Sequence, residues 1–364
     1  MSHTRLRNGI VCGVASMALL GAVPATASNA APQSDTAAKP PTTTFNPTKL
    51  AKGKTTATYV DGKTLHDGKK TVKVKVPHDI WNVYKLRRGY LVGVDDPKTG
   101  WGIIYYRVGP KGGNATKLRR FAQGIWNLHV NTDGQRVAVN AQTKDVGSKL
   151  VVFNATDNKV IRRKDLGRKE LLGYSNGRTL LSNYQVKKNR SVLSWYHPGK
   201  SMTAKIGTVP EWARFADVEH NVLGLGAGPG GSCYDVRRFK APRKRLWRFC
   251  SKKGIPDGIV FSPDGKRMLT TVSFHDQPKV ATLTVRRVKD GSVVRRFRAP
   301  EFSSAGWENA KTIVVEAAAQ KKAARVRCTI GGKCTRVSRL VKGVNNFRAL
   351  DNLDTTFIGL KLLG

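Results

Sequence analysis

Hydrophobic residues in this chain come in short runs separated by turn-forming residues. The clearest set lies between 259 and 297. A run at 259–261 ends in Ser262-Pro263-Asp264-Gly265-Lys266, a tight turn in which Pro and Gly supply the special backbone angles. Runs at 268–272 and 279–288 follow, then Asp290-Gly291 as a hairpin turn and a last run at 292–297. Four antiparallel strands are predicted. An earlier stretch copies the plan: Asn131-Thr132-Asp133-Gly134-Gln135 is its first turn, 150–154 its third strand and 159–163 its fourth.

The unit repeats. Hydrophobic or Trp-containing segments begin at Ile80, Ile125, Leu171, Trp212, Ile255, Ser303 and Val344, a spacing of roughly 45 residues. The first two copies, Ile80-Trp81-Asn82-Val83 and Ile125-Trp126-Asn127-Leu128, are nearly identical. Self-similarity at this period, one four-stranded blade per repeat, predicts an all-β, seven-bladed β-propeller over 55–364. The seventh blade is expected to be composite. Its outer strands would come from 57–60 and 71–76, its inner strands from 347–349 and 355–360, so that both termini close the ring and hide sheet edges.

The N-terminus reads as an export signal over 1–27. Arg5 and Arg7 precede a short apolar run, and Ala25-Thr26-Ala27 offers small residues for cleavage. The run is too short for a membrane span, and Cys12 inside it would leave with the signal. Residues 28–54, rich in Ala, Pro, Thr, Ser and Lys, read as a flexible spacer. The four remaining cysteines suit an oxidising compartment. Cys233 is expected to pair with Cys250 and Cys328 with Cys334, each joining the third and fourth strands of a blade.

Charge narrows the partners. The chain has 65 Lys and Arg against 24 Asp and Glu, a net +41. Such a field draws polyanions in general: acidic envelope polymers, anionic lipid, nucleic acid without sequence preference. It also serves solubility alone. Basic residues gather on predicted outer strands, with Arg237, Arg238, Arg243, Lys244, Arg245, Arg295 and Arg296 as candidate polyanion contacts. Phe239, Trp247 and Phe249 are interleaved with them, which suits stacking as well as charge. Charges on outer strands equally prevent edge pairing.

Acids recur at the crossovers between repeats: Asp79, Glu211, Asp257 and Glu301, with Glu170 in the third repeat. Beside Trp81, Trp126, Trp212 and Trp307 they are candidates for a ligand site at the channel mouth. The same acids suit pairing with Lys or Arg, and the tryptophans suit packing between blades. The molecule is accordingly expected to be polarised, with a positive rim and a less positive or locally negative mouth.

No His-Glu-x-x-His motif or P-loop occurs, and the histidines are scattered, so no catalytic residue, metal ligand or cofactor is assigned. Phe261-Ser262-Pro263-Asp264-Gly265-Lys266 resembles the inner hairpin of TolB-like and WD-repeat propellers. The sixth repeat, with Gly306-Trp307-Glu308 and Arg327-Cys328-Thr329-Ile330-Gly331-Gly332-Lys333-Cys334, is similar to secreted actinobacterial propellers of unassigned function. The resemblance implies turns and strand starts, hence a fold. The expectation from sequence is a monomeric, exported binding or scaffold propeller at the cell envelope, meeting anionic polymers or a protein partner. The rival is a hydrolase or lyase acting on an anionic polysaccharide, which would need paired carboxylates at the channel face.

Overall fold

The structure, a computed structural model, describes residues 40–100, 102–131, 133–145, 147–226, 233–250, 255–273 and 281–342. Among them there are strands and two short 3-10 turns but no α-helix. A lone strand β1 (Thr42–Thr44) precedes a three-stranded meander, β2 (Thr58–Asp61), β3 (Thr64–Asp67) and β4 (Lys70–Lys75). The first repeat is β5 (Ile80–Leu86), β6 (Gly89–Asp95), β7 (Ile103–Val108) and β8 (Gly113–Phe121). The second is β9 (Ile125–Val130), β10 (Arg136–Gln142), β11 (Ser148–Asn154) and β12 (Val160–Gly167). The third is β13 (Lys169–Ser175), β14 (Arg178–Gln185), β15 (Arg190–His197) and β16 (Met202–Pro210). The fourth is β17 (Trp212–Asp217), β18 (Val222–Gly226), β19 (Cys233–Arg238) and β20 (Ala241–Cys250). The fifth is β21 (Ile255–Phe261), β22 (Arg267–Ser273), β23 (Ala281–Arg287) and β24 (Val293–Ala299). The sixth is β25 (Glu301–Asn309), β26 (Thr312–Ala319), β27 (Lys322–Thr329) and β28 (Cys334–Arg336), with β29 (Val341–Lys342) also on β27.

Each repeat is an antiparallel meander in chain order. Burial follows position within it. Second strands are buried on both faces, as in β6 and β26, because a neighbouring sheet packs on each side. Fourth strands such as β20 stay largely exposed. Each pair of consecutive sheets shares its own core. Leu91, Tyr105 and Phe121 of the first meet Val137, Val139 and Phe153 of the second. Leu150 and Val152 meet Leu171 and Tyr196, and Leu180 and Leu193 meet Leu223 and Leu225. Tyr234 and Val236 meet Ile259 and Met268, and Leu283 and Phe297 meet Ile313 and Val326.

Glycines at the first turns let these sheets meet closely. Gly134 has φ +63, and a Cβ there would lie 2.5 Å from the backbone nitrogen of Arg87 in the preceding repeat. Gly265, also at φ +63, faces the His220 ring at 2.1 Å in the same way.

The N-terminal segment is built differently from expectation. It forms three strands rather than two. Its β4 alternates buried Val72 and Val74 with exposed Lys70, Lys73 and Lys75, a half-buried strand with period two. That strand joins β8 in parallel through Val74–Gly113 and Lys75–Asn114, so meander and first repeat form one seven-stranded sheet. Val60, Leu65 and Val74 pack on Ile80, Val83 and Val92 of the first repeat. Ala57 and Tyr59 pack on Val314 and Val337 of the sixth. The meander therefore touches both ends of the series of repeats. The expected C-terminal strands at 347–349 and 355–360 lie outside the described residues.

Two carboxylates pin this meander. Glu308 of β25 accepts from the Thr55 hydroxyl (2.7 Å), from Thr56 and from the Ala57 amide (3.1 Å), and it also binds Arg327. Asp67 accepts from Thr58 (2.6 Å), Tyr90 (2.7 Å) and Lys85 (2.9 Å). Burial pushes both carboxyls up, but these donors outweigh it and hold both below the usual carboxylate range.

The spacer expected over 28–54 gives way to packed chain from residue 40. Thr42–Thr44 pairs in parallel with β24, Phe45 is buried in the core between the fifth and sixth repeats, and Lys52 bridges to Arg336. Threonine-rich composition there signals an extended edge strand rather than a loose linker, since Thr suits β geometry.

Both disulfides form as expected. Cys233 and Cys250 lie opposite each other on β19 and β20 with Cα atoms 4.0 Å apart. Cys328 and Cys334 do so on β27 and β28 at 4.1 Å. The closed loops are short, so replacing either pair by serine should cost about 2–3 kcal/mol. Urea denaturation of the oxidised protein checks this, and a change below about 0.5 kcal/mol would show the cross-links to be structurally idle.

Candidate functional site

The starts of the inner strands bring only part of the expected constellation together. Trp81 and Trp126, both second in their strands, are 51% and 57% exposed, so neither is packed away between sheets. Trp212 opens β17 and is half-buried, with its indole N–H donating to Glu170 Oε2 at 3.1 Å. Asp79 is exposed. Glu211 has φ +67, and Arg248 Nη2 holds its Oε1 at 2.8 Å. Glu301 opens β25, and burial raises its carboxyl above the usual range. Asp257 lies on β21, but its side chain is outside the described residues.

Trp307 is a correction. It lies near the far end of β25, opposite Ile313, six residues beyond Glu301 and so roughly 20 Å along the strand. Its indole N–H donates to the Val260 carbonyl of the fifth repeat at 2.9 Å, which ties two sheets together at that end.

A cleft of about 630 Å³ opens beside Trp126, lined also by Asn127, Asn140, Ser148, Glu170, Trp212 and Arg214, with Gly167, Arg168 and Lys169 in the turn into β13. Ser148 shapes that turn, donating to the carbonyls of Gly167 (3.2 Å) and Lys169 (3.0 Å). Arg214 stacks over Trp212 at 4.7 Å, and Tyr184 stacks on the same indole at 5.9 Å. Burial raises the Glu170 carboxyl above the usual range, opposed by the Trp212 hydrogen bond and by Arg214. Three cations thus line the cleft against one carboxylate.

A smaller cleft of about 260 Å³ lies toward the opposite ends of the inner strands, among Tyr174, Asp217, His220, Phe261 and Ser262. His220 Nδ1 lies 2.7 Å from Asp217 Oδ2, an i,i+3 pair that fixes the β17–β18 turn. Among the described residues there is no group of three or more metal-ligating side chains.

The basic rim splits into structural and exposed members. Arg237 is a correction: it is 8% exposed, pairs with Asp235 (2.9 Å), and donates to the carbonyls of Pro242 (3.0 Å) and Arg243 (2.9 Å). Arg238 donates to the His220 carbonyl, and Arg295 to the Ile330 carbonyl and the Thr43 hydroxyl. Arg296 is half-buried near Arg286, whose guanidinium burial lowers to about 10 as it stacks 4.0 Å from the Phe249 ring. Arg243, Lys244 and Arg245 are exposed, as is Arg248. Arg243 and Lys244 also line a groove of about 470 Å³ with Lys205 of β16.

No family model matches the chain, and no curated protein does. Solved structures do. A functionally unknown protein from Desulfotomaculum acetoxidans DSM 771 superposes with TM-score 0.53 at 11% identity, covering 80% of this chain and 100% of that one. A chain of the mitotic checkpoint complex gives 0.51 at 11% identity, covering 81% and 88%. Hsv2 from Kluyveromyces lactis gives 0.45 at 14% identity, covering 69% and 73%. The likeness is one of fold: all-β and similar to WD-repeat-like propellers. The paired cysteines fit an oxidising environment. No helix among the described residues is long and apolar enough to cross a membrane.

Proposed function

We propose that the protein is an exported, non-enzymatic, seven-bladed β-propeller of the cell envelope that binds anionic polymers along its outer strands. The meander fills the seventh position, between the sixth and first repeats, and the apolar run with its small-residue cleavage motif supports export. The observation that carries the binding reading is β20, which exposes Arg243, Lys244, Arg245 and Arg248 on one strand beside the Lys205 groove. The Cys233–Cys250 bridge and Asp235 hold that strand in place. A hydrolase or lyase would need two available carboxylates about 5–10 Å apart. At the crossovers Glu211 is engaged by Arg248, which favours binding over catalysis at that position.

Polymer contacts of this kind gain mainly from counterion release, so affinity should fall linearly in log–log plots against salt. The variant Arg243→Glu/Lys244→Glu/Arg245→Glu should weaken binding to heparin about tenfold or more with at most a modest fall in thermal midpoint, since of the three only Arg245 approaches the buried Asp235, at 4.0 Å. Column retention across a salt series checks this. Retention that ignores salt, or a triple variant that elutes with the parent, would sink the proposal.

A further inference from the structure

The cleft beside Trp126 has chemistry that polymer contact along β20 does not use. Trp126 offers an indole face, 57% exposed, at the edge of a cavity of about 630 Å³. That volume lies within the range of about 300–1,000 Å³ typical of small-molecule sites. Arg168 is exposed and Lys169 half-buried in the turn that lines it, and neither forms an ion pair among the described residues.

The cavity also has acceptors without donors. Asn140 is 1% exposed, and its Oδ1 is buried with no hydrogen-bond partner. Asn127, opposite it in the β9–β10 register, has a buried Oδ1 in the same condition. The orientation of the Asn127 amide is settled. Its Nδ2 donates at 2.5 Å to the Leu171 carbonyl, which can only accept. Leaving a buried acceptor unmet costs about 1–3 kcal/mol, so this floor calls for hydrogen-bond donors.

An aromatic face suits the C–H side of a sugar ring, unpaired cations suit an acid group, and buried carboxamide oxygens suit hydroxyl donors. We propose that this cleft binds an acidic sugar unit, a uronate or a sugar phosphate. The ring lies on Trp126, the acid group faces Arg168 and Lys169, and hydroxyls donate to Asn127 and Asn140. The proposal rests on the binding reading above and names a unit of the polymer class that reading invokes.

Titration of the full chain with digalacturonate, glucose 6-phosphate and maltose, followed calorimetrically and by tryptophan fluorescence, tests it. Saturable binding of either acidic probe, at least tenfold tighter than maltose, is expected; which one binds separates carboxylate from phosphate. Trp126→Ala and Arg168→Ser, both at exposed positions that folding should tolerate, should each weaken that binding about tenfold. No binding of either acidic probe, equal binding of maltose, or unchanged affinity in both variants would overturn the proposal. Heparin retention is read on the same samples. Loss of probe binding with salt-sensitive retention intact removes the cleft site alone, whereas salt-insensitive retention with probe binding intact removes the rim reading.

Discussion

Replacing Arg325 by alanine should destabilise the protein by about 3–5 kcal/mol. Arg325 is 1% exposed on β27, directly opposite Glu316 on β26, with Nε 3.3 Å from Oε1. Its guanidinium also covers the Tyr59 ring of the meander at 4.7 Å. Burial pushes this guanidinium below its usual range while Glu316 and Tyr59 pull it back, so the charge is kept by its partners. Alanine removes one member and leaves Glu316, 5% exposed, without its opposite charge. It also strips a face of Tyr59, so amide protection should be lost first in 58–67. Urea denaturation and hydrogen exchange check both effects. The double variant Arg325→Met/Glu316→Leu should recover most of the loss, because apolar residues of similar volume replace such pairs at little cost. A single-variant loss below about 1 kcal/mol would show that the pair sits in solvated surroundings.

The second large effect is expected at Asp235. This carboxylate is fully buried on β19 and receives Arg248 Nε at 2.5 Å and Arg237 Nη2 at 2.9 Å, with Arg245 at 4.0 Å. Its hydrogen bond is the main reason the Arg248 guanidinium is pushed above its usual range. Asp235→Ala leaves Arg237, Arg245 and Arg248 facing one another, with Glu211 still on Arg248, and should cost about 3–5 kcal/mol. Arg237 also ties down the carbonyls of Pro242 and Arg243, so the same change should loosen the start of β20. Heparin affinity should then fall without any surface charge having been removed. A stable variant with unchanged retention would show that β20 keeps its shape by backbone pairing and the disulfide alone.

How far the sequence carried these conclusions depends on whether the signal was local. The strands around Pro263-Asp264-Gly265 and Asp290-Gly291 were legible, as were both disulfides, since each partner lies within one hairpin, whereas β3, only four residues long between Asp61-Gly62 and Asp67-Gly68, was not. The third repeat, whose turn signals are faint, still forms a complete four-stranded sheet. Trp307 differs because it lies seventh in β25, whereas Trp81, Trp126 and Trp212 lie first or second in their strands; its residue type, not its place in the repeat, pointed to the mouth. Arg237 was misread because a third strand is flanked by sheets on both faces, and its partner Asp235 is seen only once β19 and β20 pair. The cleft was half visible: Trp126, Glu170 and Trp212 stood out, whereas Arg168, Lys169, Arg214 and Asn140 reach it from four other strand or turn positions. Asn127 did leave a trace, as the third residue of the Ile-Trp-Asn segment shared with Asn82.

The outer edges of the sheets carry a consequence for how copies of this molecule meet. The edges of β8, β24 and β27 are covered by β4, β1 and the strands after β27, but among the described residues β12, β16 and β20 end their sheets without a further strand. Those three carry Arg162, Arg163, Lys164, Lys205, Arg243, Lys244 and Arg245. At physiological ionic strength the Debye length is about 8 Å, so this repulsion is nearly silent at a distance and rises only as two molecules close to within a few water layers. Backbone pairing between edges needs a strand spacing of about 4.8 Å, well inside that range. The charges therefore act as a short-range bumper: crowding is tolerated, and the last few ångströms that would begin a cross-β contact are opposed.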